Sequence, residues 1–307
     1  MDKLKIDRLK EAVMGAIWKQ WFALGTRIHS ESPARSMVDP EALLLTSLAL
    51  HQNEKRLWDI LTSWAKHGSK LFSLQRVKNL QDSFPENTKN LLAQFAHRAH
   101  SEGSDFRWQS MSENAFGPES RDSELWTGYP SKWPFPALVL RMRLGFGVGI
   151  SADLLSYLIT QRGDWVRAKQ ASLATSYSTY AIRRVADDLV AAQFIESTQG
   201  KPIQYRVGKT AWVDALISDK EAPDWCYWHQ VYSFATNLIN SNETKAWDGL
   251  SPYLLSTHLR DHLETNQDVF ILNRIETPDL RNYPGEALLP AFGEVIGNLS
   301  QWIENNV

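Results

Sequence analysis

The sequence predicts a mainly α-helical chain in which a small α+β unit, ending in a β-hairpin, lies between two helical regions. Three observations carry that expectation: apolar residues at three- and four-residue spacing in the first and last hundred positions, an alternating apolar pattern around a glycine turn near position 200, and a shift of charge along the chain. At 307 residues the chain is about twice the ordinary single-domain length, so two or three domains are expected. Hydrophobic residues at 43% and charged residues at 22% exclude a disordered or collagen-like chain. The expected partition is a helical N-terminal domain over 1–100, an irregular linker over 101–136, the α+β domain over 137–210, and an acidic, mainly helical C-terminal domain over 211–307.

Asp39, Pro40 and Glu41 supply the N-cap, first-turn proline and early acid of a helix start, followed by Leu43, Leu44, Leu48 and Leu50. Leu57, Leu61, Trp64 and Ala65, then Leu91, Leu92, Phe95 and Ala96, make two further helical stripes. From 101 to 136 the pattern breaks into serines, glycines and prolines around Trp108, Phe116, Trp126 and Trp133, which read as aromatic anchors on neighbouring surfaces. A basic apolar stretch over 138–144 and the glycine joint Gly145, Gly147 and Gly149 come next, and Ser151 is expected to cap a helix that buries Leu154, Leu155, Leu158 and Ile159. Trp165 and Val166 read as extended, 168–174 as a small helix, Thr175 and Ser176 as a turn, and 178–192 as a longer helix. Its stripe of Ile182, Val185, Ala186, Leu189 and Val190 leaves Thr179, Tyr180, Arg183, Arg184 and Asp187 outward. Phe194 and Ile195 face Ile203, Tyr205 and Val207 across Gln199, Gly200 and Lys201, a hairpin signal. The last hundred residues read as helices over 225–239, 252–264 and 286–305, with a strand at 269–272.

Net charge is −2, yet 136–210 holds 10 Lys+Arg against 5 Asp+Glu while 211–307 holds 5 against 14. A basic middle and an acidic end are therefore concealed in a neutral total. The single cysteine, Cys226, excludes an intramolecular disulfide and a cysteine-rich zinc site, which fits a reducing, cytoplasmic setting. No apolar run reads as a signal peptide or membrane span.

The run from 167 to 178 and the helix that follows it, with its Leu189, Phe194, Ile195 and Glu196 ending, carry a family resemblance. The stretch over 138–207 resembles the winged helix-turn-helix domain of bacterial transcription regulators of the MarR, ArsR and related groups, over under a quarter of the chain. Gln193 departs from the glycine usual there, and Ser172 and Ser176 from the usual alanine and glycine. The resemblance implies a recognition helix over 178–192 in the major groove and a wing over 194–207 on the backbone. The chemistry agrees: Ser178, Thr179, Tyr180, Arg183 and Arg184 suit base edges and nearby phosphates, while Arg167, Lys169, Lys201 and Arg206 suit phosphates. Double-stranded DNA is the expected partner, read by a homodimer acting as a transcription regulator. The alternative is a protein-interaction module, such as an autoregulating antitoxin or phage-defence component, in which the winged helix is a scaffold. The acidic C-terminal region would then bind a basic protein or fold back on the basic middle.

Other motifs are weaker. The glycine joint lacks the βαβ context of a dinucleotide loop, and a hinge is the better reading. His258 and His262 lie four apart but have no third ligand in register, and His97 and His100 are weaker still. Cys226 lies among Trp225, Tyr227 and Trp228 with His229 three residues on, and reads as a buried thiol and not as a nucleophile. The sequence thus predicts neither an enzyme nor a bound cofactor or metal.

Overall fold

The computed structural model describes residues 3–30, 32, 34–112, 124–126, 128–130, 133–208, 211–217 and 222–307. It is mainly helical, 68% helix and 3% strand, with a small three-stranded antiparallel sheet.

Local rules account for the first helices. Before α2 (Pro40–Leu50), the Asp39 side chain accepts from the Ala42 amide at 3.1 Å and Pro40 opens the first turn, as expected of a capped start. Nearly every residue of α2 is buried, because α1 (Lys3–Ala23), α3 (Arg56–His67), α4 (Leu74–Leu80) and α5 (Asn87–Ser101) surround it together with a helix from the other end of the chain. In α3 the buried stripe is Leu57, Ile60, Leu61, Trp64 and Ala65, and in α5 it is Leu92, Phe95, Ala96 and Ala99. The aromatics of the irregular segment do anchor on this body. Trp126 lies 4.5 Å from the Trp64 ring and donates to the Leu24 carbonyl, while Trp108 packs edge-on to Phe95 at 5.2 Å. Phe116 lies outside the described residues.

The C-terminal helices are α11 (Trp228–Glu243), α12 (Pro252–Thr265), α13 (Gln267–Asn273) and α14 (Leu288–Asn306). They and the N-terminal helices bury their apolar faces in one continuous core: α14 lies along α1, and α11 packs on both α1 and α2. Residues 6–99 and 226–307, separate in sequence order, therefore share a core in space, whereas Val213 and Ala222 belong to the second core. Arg8 to Glu304 at 3.3 Å and Lys10 to Glu243 at 2.7 Å link a basic first helix to the acidic end. The strand expected at 269–272 is instead part of α13. Val269, Phe270 and Asn273 are buried and Ile271 is exposed, a helical spacing that a run of four apolar residues hides.

A second core belongs to the middle of the chain. Helix α6 (Leu138–Phe146) passes through Gly147 (φ 80°) to α7 (Ile150–Thr160). The N-cap of α7 is Gly149 rather than Ser151, because Gly149 at φ 155° holds a conformation that any side chain would resist. The chain continues through β1 (Val166–Arg167), α8 (Ala168–Thr175), α9 (Thr179–Ala191), β2 (Glu196–Ser197) and β3 (Gln204–Arg206). The sheet order is β1-β3-β2, all antiparallel, with Tyr205 opposite both Val166 and Ser197. No parallel strand pair exists among the described residues, so the glycine joint stands outside any βαβ unit. Ser178 caps α9, accepting from the Ala181 amide at 3.2 Å, and Ile182, Ala186 and Leu189 are its buried face. Gln193 closes the helix in the left-handed region at φ 62°, with the Phe194 amide donating to the Leu189 carbonyl. A short helix α10 (Ala211–Ile217) follows the hairpin. Among the described residues no helix is long and apolar enough to cross a membrane.

Candidate nucleic-acid interface

The face of α9 turned from its core carries Tyr180, 77% exposed, with Arg183, Arg184, Asp187 and Asp188, all exposed; Thr179 is half-buried beside them. Neither arginine forms an ion pair among the described residues. Arg167 at the end of β1, Lys169 in the first turn of α8 and Lys201 at the hairpin tip are exposed and equally unpaired. Ser178 is exposed, and its hydroxyl oxygen is occupied as the α9 cap. The Tyr205 hydroxyl donates to Asp187 at 3.3 Å, tying β3 to α9; burial and the Asp187 charge push the Tyr205 phenol up.

Arg206, expected to reach phosphates, has partners within the sheet. Its guanidinium makes 2.8 and 2.7 Å bonds to Glu196 across the sheet and stacks 4.3 Å from the centre of the Trp165 ring. The antiparallel register places Arg206 opposite Glu196, so its charge is held within the sheet surface.

The turn joining α8 to α9 is where sequence reasoning missed most. Ser176 takes the left-handed conformation at φ 59°, and Tyr177 is 4% exposed. The Thr175 carbonyl accepts from Arg76 Nε at 2.8 Å and the Ser176 carbonyl accepts from Asn79 Nδ2 at 2.6 Å, both donors on α4. The Tyr177 hydroxyl donates to Asp153 on α7 at 2.8 Å and sits 2.9 Å from the Ser73 hydroxyl.

Behind the turn lies a buried charge network. Arg143 on α6 makes paired bonds to Asp153 (2.8 and 3.0 Å) and to Glu41 on α2 (2.6 and 3.0 Å), and a further one to the Leu71 carbonyl at 2.8 Å. Arg76 bonds Glu41 at 2.8 Å and Asp39 at 2.6 Å, and Glu41 also accepts from the Ser73 amide at 2.7 Å. None of the five charged groups is more than 5% exposed. Burial alone would raise the Asp39 carboxyl, but the Arg76 guanidinium and the His229 ring, 3.7 Å away, hold it well below the usual carboxylate range. Burial works against the Arg143 charge too, and Asp153 and Glu41 overcome it, so the guanidinium holds its proton more tightly than usual. These residues span positions 39 to 229, and no local spacing signals their meeting.

Elsewhere the chemistry is sparse. Among the described residues no three His, Cys, Asp or Glu side chains are placed to share a metal. His262 stacks on Phe234 at 4.7 Å, and burial lowers its pKa, while His258 is exposed. Cys226 is buried, its thiol pushed up to about 12 chiefly by that burial. The His229 ring contacts Asp39. A cleft of about 590 Å³ runs between the α7–β1 loop and the C-terminal helices, with Arg162, Asp224, Trp225 and Arg274 among its lining; Arg162 and Asp224 are paired at 3.0 Å. The chain matches no protein-family model, and no curated protein or solved structure is similar to it.

Proposed function

We propose that residues 138–207 are a winged helix-turn-helix and that the chain is a sequence-specific, DNA-binding transcription regulator. The observation that carries this reading is the face of α9: Tyr180, Arg183 and Arg184 stand exposed, with both guanidiniums unpaired among the described residues, on a capped helix preceded by a tight turn and followed by a hairpin. Arginine offers two parallel donors to a guanine edge, and a helix of 13 residues, about 20 Å long, suits a major groove. Arg167, Lys169 and Lys201 surround that face with charges suited to phosphates. In this reading α9 enters the groove and the hairpin tip rests on the backbone, with a homodimer reading a two-fold site. The acidic α12–α14 helices pack on α1 and α11, which leaves the α9 face uncovered. The deciding experiment is fluorescence anisotropy with the duplex upstream of the protein's own gene at 50 and 200 mM salt. Binding that weakens with salt by the slope of several released phosphates, and exceeds binding to a scrambled duplex, supports the reading. Equal affinity for both duplexes, or none at low salt, sinks it.

A second reading has its own support. Asp187 and Asp188 lie on the exposed side of α9, and the α8–α9 turn is buried against α4. Both features suit a winged helix that serves as a scaffold for a protein partner, as in an autoregulating antitoxin. Co-purification of one stoichiometric basic protein, with no DNA discrimination, would favour it.

A further inference from the structure

The α8–α9 turn is bonded to the helical body at each of its three residues. Thr175 and Ser176 offer their carbonyls to Arg76 and Asn79, and Tyr177 offers its hydroxyl to Ser73 and Asp153. The contacts close into a ring: Tyr177 to Asp153, Asp153 to Arg143, Arg143 to Glu41, Glu41 to the Ser73 amide, and the Ser73 hydroxyl back to Tyr177. Every side chain in that ring is buried.

Such a ring contributes orientation more than net stability. Two apolar surfaces in contact tolerate small slides, because hydrophobic attraction has no direction. Paired guanidinium–carboxylate bonds are satisfied in one relative placement only, and a slide would leave buried charges unpaired. The two cores of the molecule therefore meet through a seam that admits one register, and the seam ends at the turn from which α9 springs.

We propose that Ser73, Arg76 and Asn79 of the helical body are positioning residues for DNA reading: by holding the α8–α9 turn they set the angle at which α9 is presented. This rests on the DNA-reading proposal above and extends it to residues that no groove contact requires. Ser73 is buried and also caps α4, its hydroxyl oxygen accepting from the Arg76 amide, so a change there reaches recognition through α4 and the turn and not through a DNA contact.

The test uses full-length protein with Ser73→Ala, Asn79→Ala and both together, which remove the Ser73 and Asn79 bonds to the turn, and with Ser73 the α4 cap, while every guanidinium and carboxylate of the network is kept. Two readouts are taken: the ratio of affinities for the upstream and scrambled duplexes by anisotropy, and hydrogen exchange of the amides at 175–182. The double variant is expected to lose about tenfold in that ratio, the order seen for residues that couple to a site without touching its ligand. Its affinity for scrambled DNA and its salt slope should stay as in the parent, because no phosphate contact is removed, and the 175–182 amides should exchange faster. Arg183→Ala serves as the contrast, lowering the ratio with unchanged exchange in the turn. Unchanged exchange at 175–182 in the double variant overturns the positioning role whatever DNA does. Faster exchange with an unchanged ratio also overturns it, reducing the contacts to packing. Absence of any discrimination by the parent protein overturns the DNA reading itself.

Discussion

Replacing Arg143 by methionine is the sharpest test of the buried network. The side chain is fully buried, and the change keeps most of its volume while removing paired bonds to Glu41 and Asp153 and one to the Leu71 carbonyl. Glu41 keeps Arg76 and the Ser73 amide, but Asp153 keeps only the Tyr177 hydroxyl. Three buried carboxylates would then face one guanidinium. Breaking a buried pair from one side costs about 3–5 kcal/mol, because the partner charge is left uncompensated. With an unfolding entropy of about 2.1 cal/mol/K per residue, a chain of this length should melt about 5–8 °C lower. Urea unfolding and thermal melting of parent and variant at pH 7 check the two figures. A loss under 1 kcal/mol would refute the argument.

Four other outcomes are expected. Arg183→Ala and Arg184→Ala should each cost about 1–3 kcal/mol of discrimination between upstream and scrambled duplexes, as measured by competition binding. Lys201→Ala should reduce the salt slope by about one and weaken all sequences alike, whereas Arg206→Ala should leave the slope unchanged because its charge is held by Glu196 and Trp165; parallel salt titrations separate the two. Asp39 is held below its ordinary range when folded, so its contribution to stability is present at neutral pH, begins to fade below about pH 4, the value of a free aspartate, and continues to fade as acid is added. Denaturation monitored by tryptophan emission between pH 7 and pH 2 should follow that course, and a flat profile would contradict it. Cys226, with its thiol pushed up to about 12, should resist a thiol reagent at pH 8 in the folded protein and react at once in denaturant.

Much of the middle of the chain was legible locally. The α9 stripe and the hairpin around Gly200 follow from rules that act over a few residues, and the structure has both. The 269–272 segment shows where such rules run short. Four consecutive apolar residues fit strand and helix alike, and only the burial of Val269, Phe270 and Asn273 against α11 and its neighbours distinguishes them. Charge followed the same division. The count along the chain separates a basic middle from an acidic end, but pairs such as Arg8 with Glu304 join segments that the count keeps apart. Arg206, identified from its strand position alone, is neutralised by a cross-strand neighbour.

Asp39 and Glu41 show both halves at once. By itself the sequence determines that Asp39, Pro40 and Glu41 start a helix, because capping depends on amides two or three residues away, and Asp39 does cap α2. That the same two carboxylates also hold Arg76 and Arg143 in a buried network beneath the α8–α9 turn was decided by the tertiary structure. Bonds between residues 35 to 102 positions apart leave no periodic trace in the chain, since what selects them is the shape in which two hydrophobic cores meet.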